Sequence, residues 1–180
     1  MTIKRKHILF FLSLTFIIML LIGLSHRVTV LTLENTYTHK KYVLYCLSSA
    51  PTILSIKFLH SYDRDEIIEV FSIVHDLFKP IKVIYSSDSY DYREWRYKSI
   101  IVVNDTKIVL LINDGPQYNE LFYQIAYLAP QELTITCNGE RRIFYLQWFG
   151  KSGEATKLRV ERIPYLILLY YMLKGDFYGG

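Results

Sequence analysis

The sequence predicts an α/β protein: an N-terminal transmembrane helix followed by one mixed-sheet domain. Three observations carry that expectation. A basic cluster, Lys4, Arg5, Lys6 and His7, precedes an uncharged run from Ile8 to Leu24. A strand, an amphipathic helix and a second strand can be read in order between Ile53 and Ser86, the pattern of a right-handed unit with parallel strands. Two further strand pairs follow, one around Asn104-Asp105-Thr106 and one around Asn138-Gly139.

The run Ile8–Leu24 holds seventeen apolar or small residues, at the short edge of what a helix needs to cross a hydrocarbon core. The basic flank would hold the N-terminus in the cytoplasm and send the rest across, giving a cell-membrane, single-pass placement. A cleaved secretory signal is the competing reading; Ile22-Gly23-Leu24-Ser25-His26 offers no Ala-x-Ala site, which favours an uncleaved anchor. The domain plan is then residues 1–25 as flank and anchor, 26–40 as a polar stalk, and 41–180 as an exported α/β domain. An insertion would occupy about 87–155 of it.

Charge supports this division. Four of the 21 Lys and Arg (Lys4, Arg5, Lys6, Arg27) flank the apolar run, and the remainder balance the 17 acidic residues. The pI near 8.9 therefore reads as topology rather than as a nucleic-acid footprint, and no nucleic-acid partner is expected. Sixteen Tyr and many Ile, Leu and Val beside few Pro and Gly favour extended structure.

Taken in order, Lys41–Ser48 is a first strand and Ile53–His60 a second, with Leu54, Ile56 and Phe58 on one face. Asp63 and Glu66 stand three apart before an apolar-periodic run, as in a capping box. Ile67, Val70, Phe71, Val74 and Phe78 recur at helical spacing and end at Lys79-Pro80, so a helix is expected, followed by a strand over Ile81–Ser86. Residues 87–98 are polar and aromatic. Ser99–Val103 and Lys107–Ile112 form a hairpin, and Glu120–Leu128 reads as a short helix stopping before Pro130. Glu132–Cys137 and Arg141–Phe149 form a second hairpin around Asn-Gly. Ala155–Glu161 is a short helix or strand, and Ile163–Leu173 is apolar but too short to span a membrane.

The segment Ile56-Lys57-Phe58-Leu59-His60-Ser61-Tyr62 resembles the strand and strand exit of the thioredoxin-like family, where a Cys-x-x-Cys opens a long helix. Asp63, Arg64, Asp65 and Glu66 occupy that motif position here. Val160 to Leu168 resembles the family strand that begins at a cis-proline, which places Pro164 in that role. Lys174 to Gly180 is similar to the turn and strand that follow, and together with the whole Ile53–Ser86 unit, which resembles the start of such a domain, these pieces cover about a third of the chain. The resemblance implies a thioredoxin-like fold with an inserted hairpin and helix segment. Without the two cysteines, thiol–disulfide exchange at that position has no attacking thiolate.

Candidate chemistry is sparse. Asp63, Asp65 and Glu66 read either as a cation or acid–base site or as favourable charge at a helix start, and the second needs no function. His60 and His75 are lone histidines, and no Gly-x-Ser-x-Gly is present. Cys46 and Cys137 are equally readable as a disulfide, closing a loop of about 90 residues worth roughly 4 kcal/mol, or as two unpaired strand thiols. No Cys or His spacing reads as a metal site, and no cofactor is expected. Tyr90, Tyr92, Arg93, Trp95 and Arg96 have the composition of a protein interface. Tyr145, Trp148 and Phe149 read as a core strand more readily than as a second aromatic patch. Asn104 heads a glycosylation sequon at a hairpin tip. The Gly179-Gly180 ending is read as no conjugation tail.

The functional expectation is a membrane-anchored, extracytoplasmic binding domain without a redox motif, an accessory or assembly subunit with protein partners in the envelope. The enzyme alternative is a thiol–disulfide oxidoreductase using Cys46 and Cys137. A third reading is an unrelated α+β fold serving as a surface or filament component.

Overall fold

β-Branched and aromatic residues at every second position make extended strands, and this chain carries that pattern nearly throughout. The computed structural model describes residues 2–46, 52–60, 65–86, 98–104 and 107–178. Helix α1 (Thr2–Ser25) leads into β1 (Arg27–Asn35), β2 (Lys41–Cys46), β3 (Thr52–Leu59), β4 (Glu66–Val74) and β5 (Leu77–Tyr85). Then come β6 (Lys98–Asn104), β7 (Lys107–Asp114), β8 (Glu120–Gln124), β9 (Glu132–Cys137) and β10 (Glu140–Tyr145). A single 3-10 turn (Leu146–Trp148), β11 (Ala155–Pro164) and helix α2 (Tyr165–Lys174) complete the chain.

The strands form two sheets, ordered β2-β1-β11-β8 and β10-β9-β3-β4-β5-β7-β6. Every neighbouring pair within them is antiparallel. The architecture is therefore an antiparallel β-sandwich, and the α/β expectation with a thioredoxin-like fold is corrected. The strand–helix–strand unit is where the reading failed. Residues 66–85 form a hairpin whose two-residue turn, His75-Asp76, has φ of 50° and 65°. Both turn residues tolerate the left-handed region that a hairpin twist demands. The helical spacing was a coincidence of two faces: Ile67, Glu69 and Phe71 alternate inward while Val70 packs on the reverse side. Pro80, read as a helix stop, sits opposite Phe71, and the next paired residues are Val70 and Lys82. Ile81 is thus an extra residue, and the proline, which lacks an N–H, is accommodated at a bulge.

The segment 26–40, expected as a stalk, supplies β1, a central strand buried on both faces. Leu31 and Leu33 point into the main core with Leu44, Leu158, Leu54, Ile56 and Leu133, which come from both sheets. On the reverse face Val30 packs with Val43 and Leu168 of α2. The expected insertion over 87–155 contributes β6 to β10, integral strands of the larger sheet and the edge of the smaller one. Glu120–Leu128 is likewise no helix: Leu121, Tyr123 and Ile125 alternate inward while Phe122 faces out.

Among the described residues, no helix is long and apolar enough to cross a membrane. Helix α1 itself runs 24 residues, from Thr2 to Ser25. Its last turns also dock on the protein, with a Cβ on Gly23 falling 2.8 Å from Leu166 Cγ. This overturns the transmembrane anchor and the single-pass placement with an exported domain.

The C-terminus is stitched to β2. Gly175 (φ 79°) ends α2 in the left-handed region, and the Asp176 N–H donates to the Tyr171 carbonyl. The Val43 N–H donates to the Asp176 carbonyl and the Tyr178 N–H to the Val43 carbonyl, both at 2.9 Å. The Asp176 carboxylate, only 4 % exposed, meets Lys40 at 3.0 Å and Lys174 at 3.3 Å. Burial pushes this carboxyl up, but the hydrogen bonds and charge of the two lysines outweigh it and hold the group below its ordinary value. The hydrogen bond to Asp176 raises Lys40 correspondingly.

Because Asp176 is depressed when folded, its contribution is present above its ordinary value of 3.8 and fades as the pH falls through the lower folded value. Asp176→Asn should cost about 1–2 kcal/mol at pH 7 and show a shallower loss of stability below pH 4 than the parent, read by urea midpoints across pH. A second variant isolates the β9–β10 turn. Gly139 (φ 80°) has nothing within 4 Å of an added Cβ, so Gly139→Ala should cost only the backbone penalty. That penalty is about 1–2 kcal/mol, measured in the same way.

Candidate functional site: a cavity at one end of the sandwich

At one end of the sandwich, the last residues of β3 and the chain leaving β8 part around a cavity of about 650 Å³. Its wall is Phe58, Leu59 and His60 on one side and the segment Gln124–Ala129 on the other, with Gln131 beside it. The volume falls within the usual range for small-molecule pockets, and among the described residues no lysine, arginine, aspartate or glutamate lines it.

The segment 125–131 has left the strand ladder, so its backbone groups need other partners. Side chains supply them. Gln131, 5 % exposed, accepts the Ala126 N–H at Oε1 (2.8 Å) and donates from Nε2 to the Gln124 carbonyl (2.9 Å). Gln147 accepts the Gln131 N–H and donates to the Ala129 carbonyl, both at 3.1 Å. The Ser152 hydroxyl donates to the Ala126 carbonyl at 3.0 Å. Ile125 exchanges backbone bonds with Gly153 and Glu154. Gly153 (φ 90°) lets the Tyr127 phenol lie where any side chain would collide with it. Thus clamped, the segment holds Tyr127 76 % and Leu128 80 % exposed at the cavity's rim.

The supporting layer is also polar. Asn35 is fully buried; its Nδ2 donates to the Phe149 carbonyl at 3.0 Å and to Glu154 Oε2 at 2.6 Å. Glu154 also accepts the Lys151 N–H, and the Asn35 bond followed by this one holds its carboxyl below the ordinary range. Across the sheets, the Tyr123 hydroxyl donates to the buried Glu69 at 2.6 Å, while Phe58 stacks near Tyr123 with ring centroids 6.3 Å apart. Glu69 does not line this cavity, and the carboxylate–phenol pair ties the two sheets together.

The residues singled out from sequence fall in several places. The His60 N–H donates to the Asp65 carbonyl at 2.8 Å. Asp65 accepts the Glu66 N–H, the Ser86 N–H at 2.8 Å and the Ser86 hydroxyl, so it braces the turn. Glu66 faces Lys57 at 3.3 Å. Asp63 and Arg64 lie outside the described residues, as do Tyr90, Tyr92, Arg93, Trp95 and Arg96. Pro164 closes β11 opposite Arg27, in the other sheet from Asp65, and no cis peptide bond occurs among the described residues. Cys137, at the end of β9, is 2 % exposed and accepts a hydrogen bond from Thr52 Oγ1 at 3.3 Å. Cys46 closes β2 in the other sheet, and its side chain lies outside what is described, so the pairing does too. The burial of Cys137 is the opposite of the accessible setting a working thiol needs. Asn104 closes β6 opposite Lys107, at the hairpin tip. Trp148 is half exposed and stacks edge-on with Tyr145 at 5.3 Å, whereas Phe149 is core.

Of the cavity residues, sequence reading found only His60. Gln124, Tyr127, Leu128 and Gln131 were hidden inside or just beyond an expected helix. The inward alternation of Leu121, Tyr123 and Ile125, followed by the Ala-Pro break, is the signal that would have exposed them.

No family model, curated protein or solved structure matches the chain. What the geometry defines is an antiparallel β-sandwich with a pre-formed apolar end cavity.

Gln131→Met keeps the length of the clamp and removes its hydrogen bonds. It should cost about 1–3 kcal/mol and speed hydrogen exchange at the Ala126 amide well beyond that at core strands.

Proposed function

We propose that this protein is an accessory component that works by binding, with the end cavity and its Tyr127–Leu128 rim as the site. The single observation that carries the reading is the clamped segment 125–131. Five side-chain bonds from Gln131, Gln147 and Ser152 fix a stretch whose Tyr127 and Leu128 side chains face solvent. Fixing exposed apolar groups gives nothing to the isolated fold, whereas a site ordered in advance avoids that entropic cost on association. The wall of hydrophobic residues with a few polar groups is the composition of binding pockets. Two elements of the expected function, binding and an accessory role, remain in this proposal; the anchor does not.

The test is a titration with N-phenyl-1-naphthylamine, an uncharged dye that fluoresces in apolar surroundings. Saturable binding at one site per chain is expected. Ala126→Trp, which fills the cavity, should weaken it by about tenfold or more, while Phe122→Ser, an exposed apolar position on the outer face of β8, should leave it unchanged. Binding that never saturates, or that ignores Ala126→Trp, sinks the reading.

A further inference from the structure

Resting on that binding reading, we infer that the cavity takes an uncharged, largely aliphatic small molecule with one polar end, of the class of long-chain alcohols. Three features of the site select it. Among the described residues the wall carries no carboxylate, ammonium or guanidinium group, so a carboxylate or ammonium head would be desolvated there without a partner of opposite charge. Its polar side chains are largely spent. Gln131 uses both ends of its amide on the backbone of its own loop, which leaves the deep wall apolar to an incoming group. At the mouth, Gln124 donates from Nε2 to the Gly153 carbonyl at 3.1 Å, and its Oε1 has no hydrogen-bond partner among the described residues. One hydroxyl donor on the ligand would satisfy it.

The apolar portion of the ligand follows from the wall. Phe58, Leu59, Ile125, Leu128 and the two alanines offer aliphatic and ring surface but no aligned backbone donors or acceptors of a strand edge. The backbone groups of residues 126, 129 and 131 are already bonded to Gln131, Ser152, Gln147 and Leu146. An extended peptide, which binds mainly through main-chain ladders, would find few partners there. At interior packing density, a cavity of about 650 Å³ holds on the order of 20 non-hydrogen atoms.

The experiment displaces the bound dye from the full-length chain with dodecanol, dodecanoate and dodecylammonium at pH 8. Dodecanol should displace it at the lowest concentration, with both charged homologues weaker by about tenfold or more. Leu59→Trp, at the mouth, and Ala126→Trp, deeper in, should each weaken dodecanol; using both keeps the test valid if one variant fails to fold. Gln124→Leu should weaken dodecanol but leave dodecane unchanged. Equal displacement by dodecanoate, or indifference of dodecanol to Gln124→Leu, overturns the inference while saturable dye binding leaves the binding reading standing. Loss of dye saturation in the parent protein removes both.

Discussion

The structure depends on burying β1 from both sides. Its odd positions, Leu31 and Leu33, enter the core between the sheets, and its even positions, Val28 and Val30, lie under α2. A strand with two apolar faces is stable only when each is covered. The first cover is the larger sheet; the second is α2, which follows directly from β11, the neighbour of β1. The register Arg27 to Pro164 places the start of β1 at the root of that helix, and the Tyr165 N–H reaches the His26 carbonyl at 2.8 Å. The C-terminal residues 176–178 then run beside β2 and cover an edge that would otherwise offer unpaired backbone groups.

The same arithmetic of strands creates the cavity. The larger sheet has seven strands and the smaller four, so the smaller cannot cover the whole of its partner. Where they overlap, leucine and isoleucine from both sheets close the gap. Beyond β8 a separate cluster of Ile67, Val83, Tyr85, Leu110 and Ile112 forms on the larger sheet alone. The sheets are tied at that margin by the mutual backbone bonds of Phe78 and Tyr118, both 2.9 Å. β8 is the shortest strand among the described residues, five residues, and the residues that follow it line the cavity together with the end of β3. The cavity lies in that mismatch. Its rim is built of side-chain-to-backbone bonds because no strand remains there to pair with.

How much of this was legible follows from what each signal measures. Both later hairpins were read correctly, because a tight turn between alternating strands is a local signal; Asn138 and Gly139, with φ of 53° and 80°, are the case in point. β3 was also read nearly to its ends. The errors have separate causes. Buried residues on both faces of β4 (Ile67 and Phe71 on one, Val70 on the other), followed by the tight turn at His75-Asp76, imitate helical spacing over Ile67–Phe78. β1 was missed for a different reason: its Thr and Glu residues looked like a stalk, but Thr32 is buried and its hydroxyl donates to the Arg159 carbonyl at 3.3 Å. Cavity residues were the least legible of all, since a pocket formed by two strand ends 65 residues apart in sequence has no local pattern.

Setting the anchor aside also changes the weight of other readings. The export across a membrane that would favour a disulfide between Cys46 and Cys137 rested on the anchor, and that support goes with it. The balance of charge in the sandwich does not depend on topology and keeps its meaning. Lysines and carboxylates are matched in place: Lys57 lies between Glu66 and Glu132, Lys157 and Lys41 meet Glu34 and Glu161, and Arg159 pairs with Glu120. Among the described residues, charge paired in this manner along the strands favours neither sign of ligand. Selection at the cavity therefore falls to shape, apolar contact and the few polar atoms at its mouth.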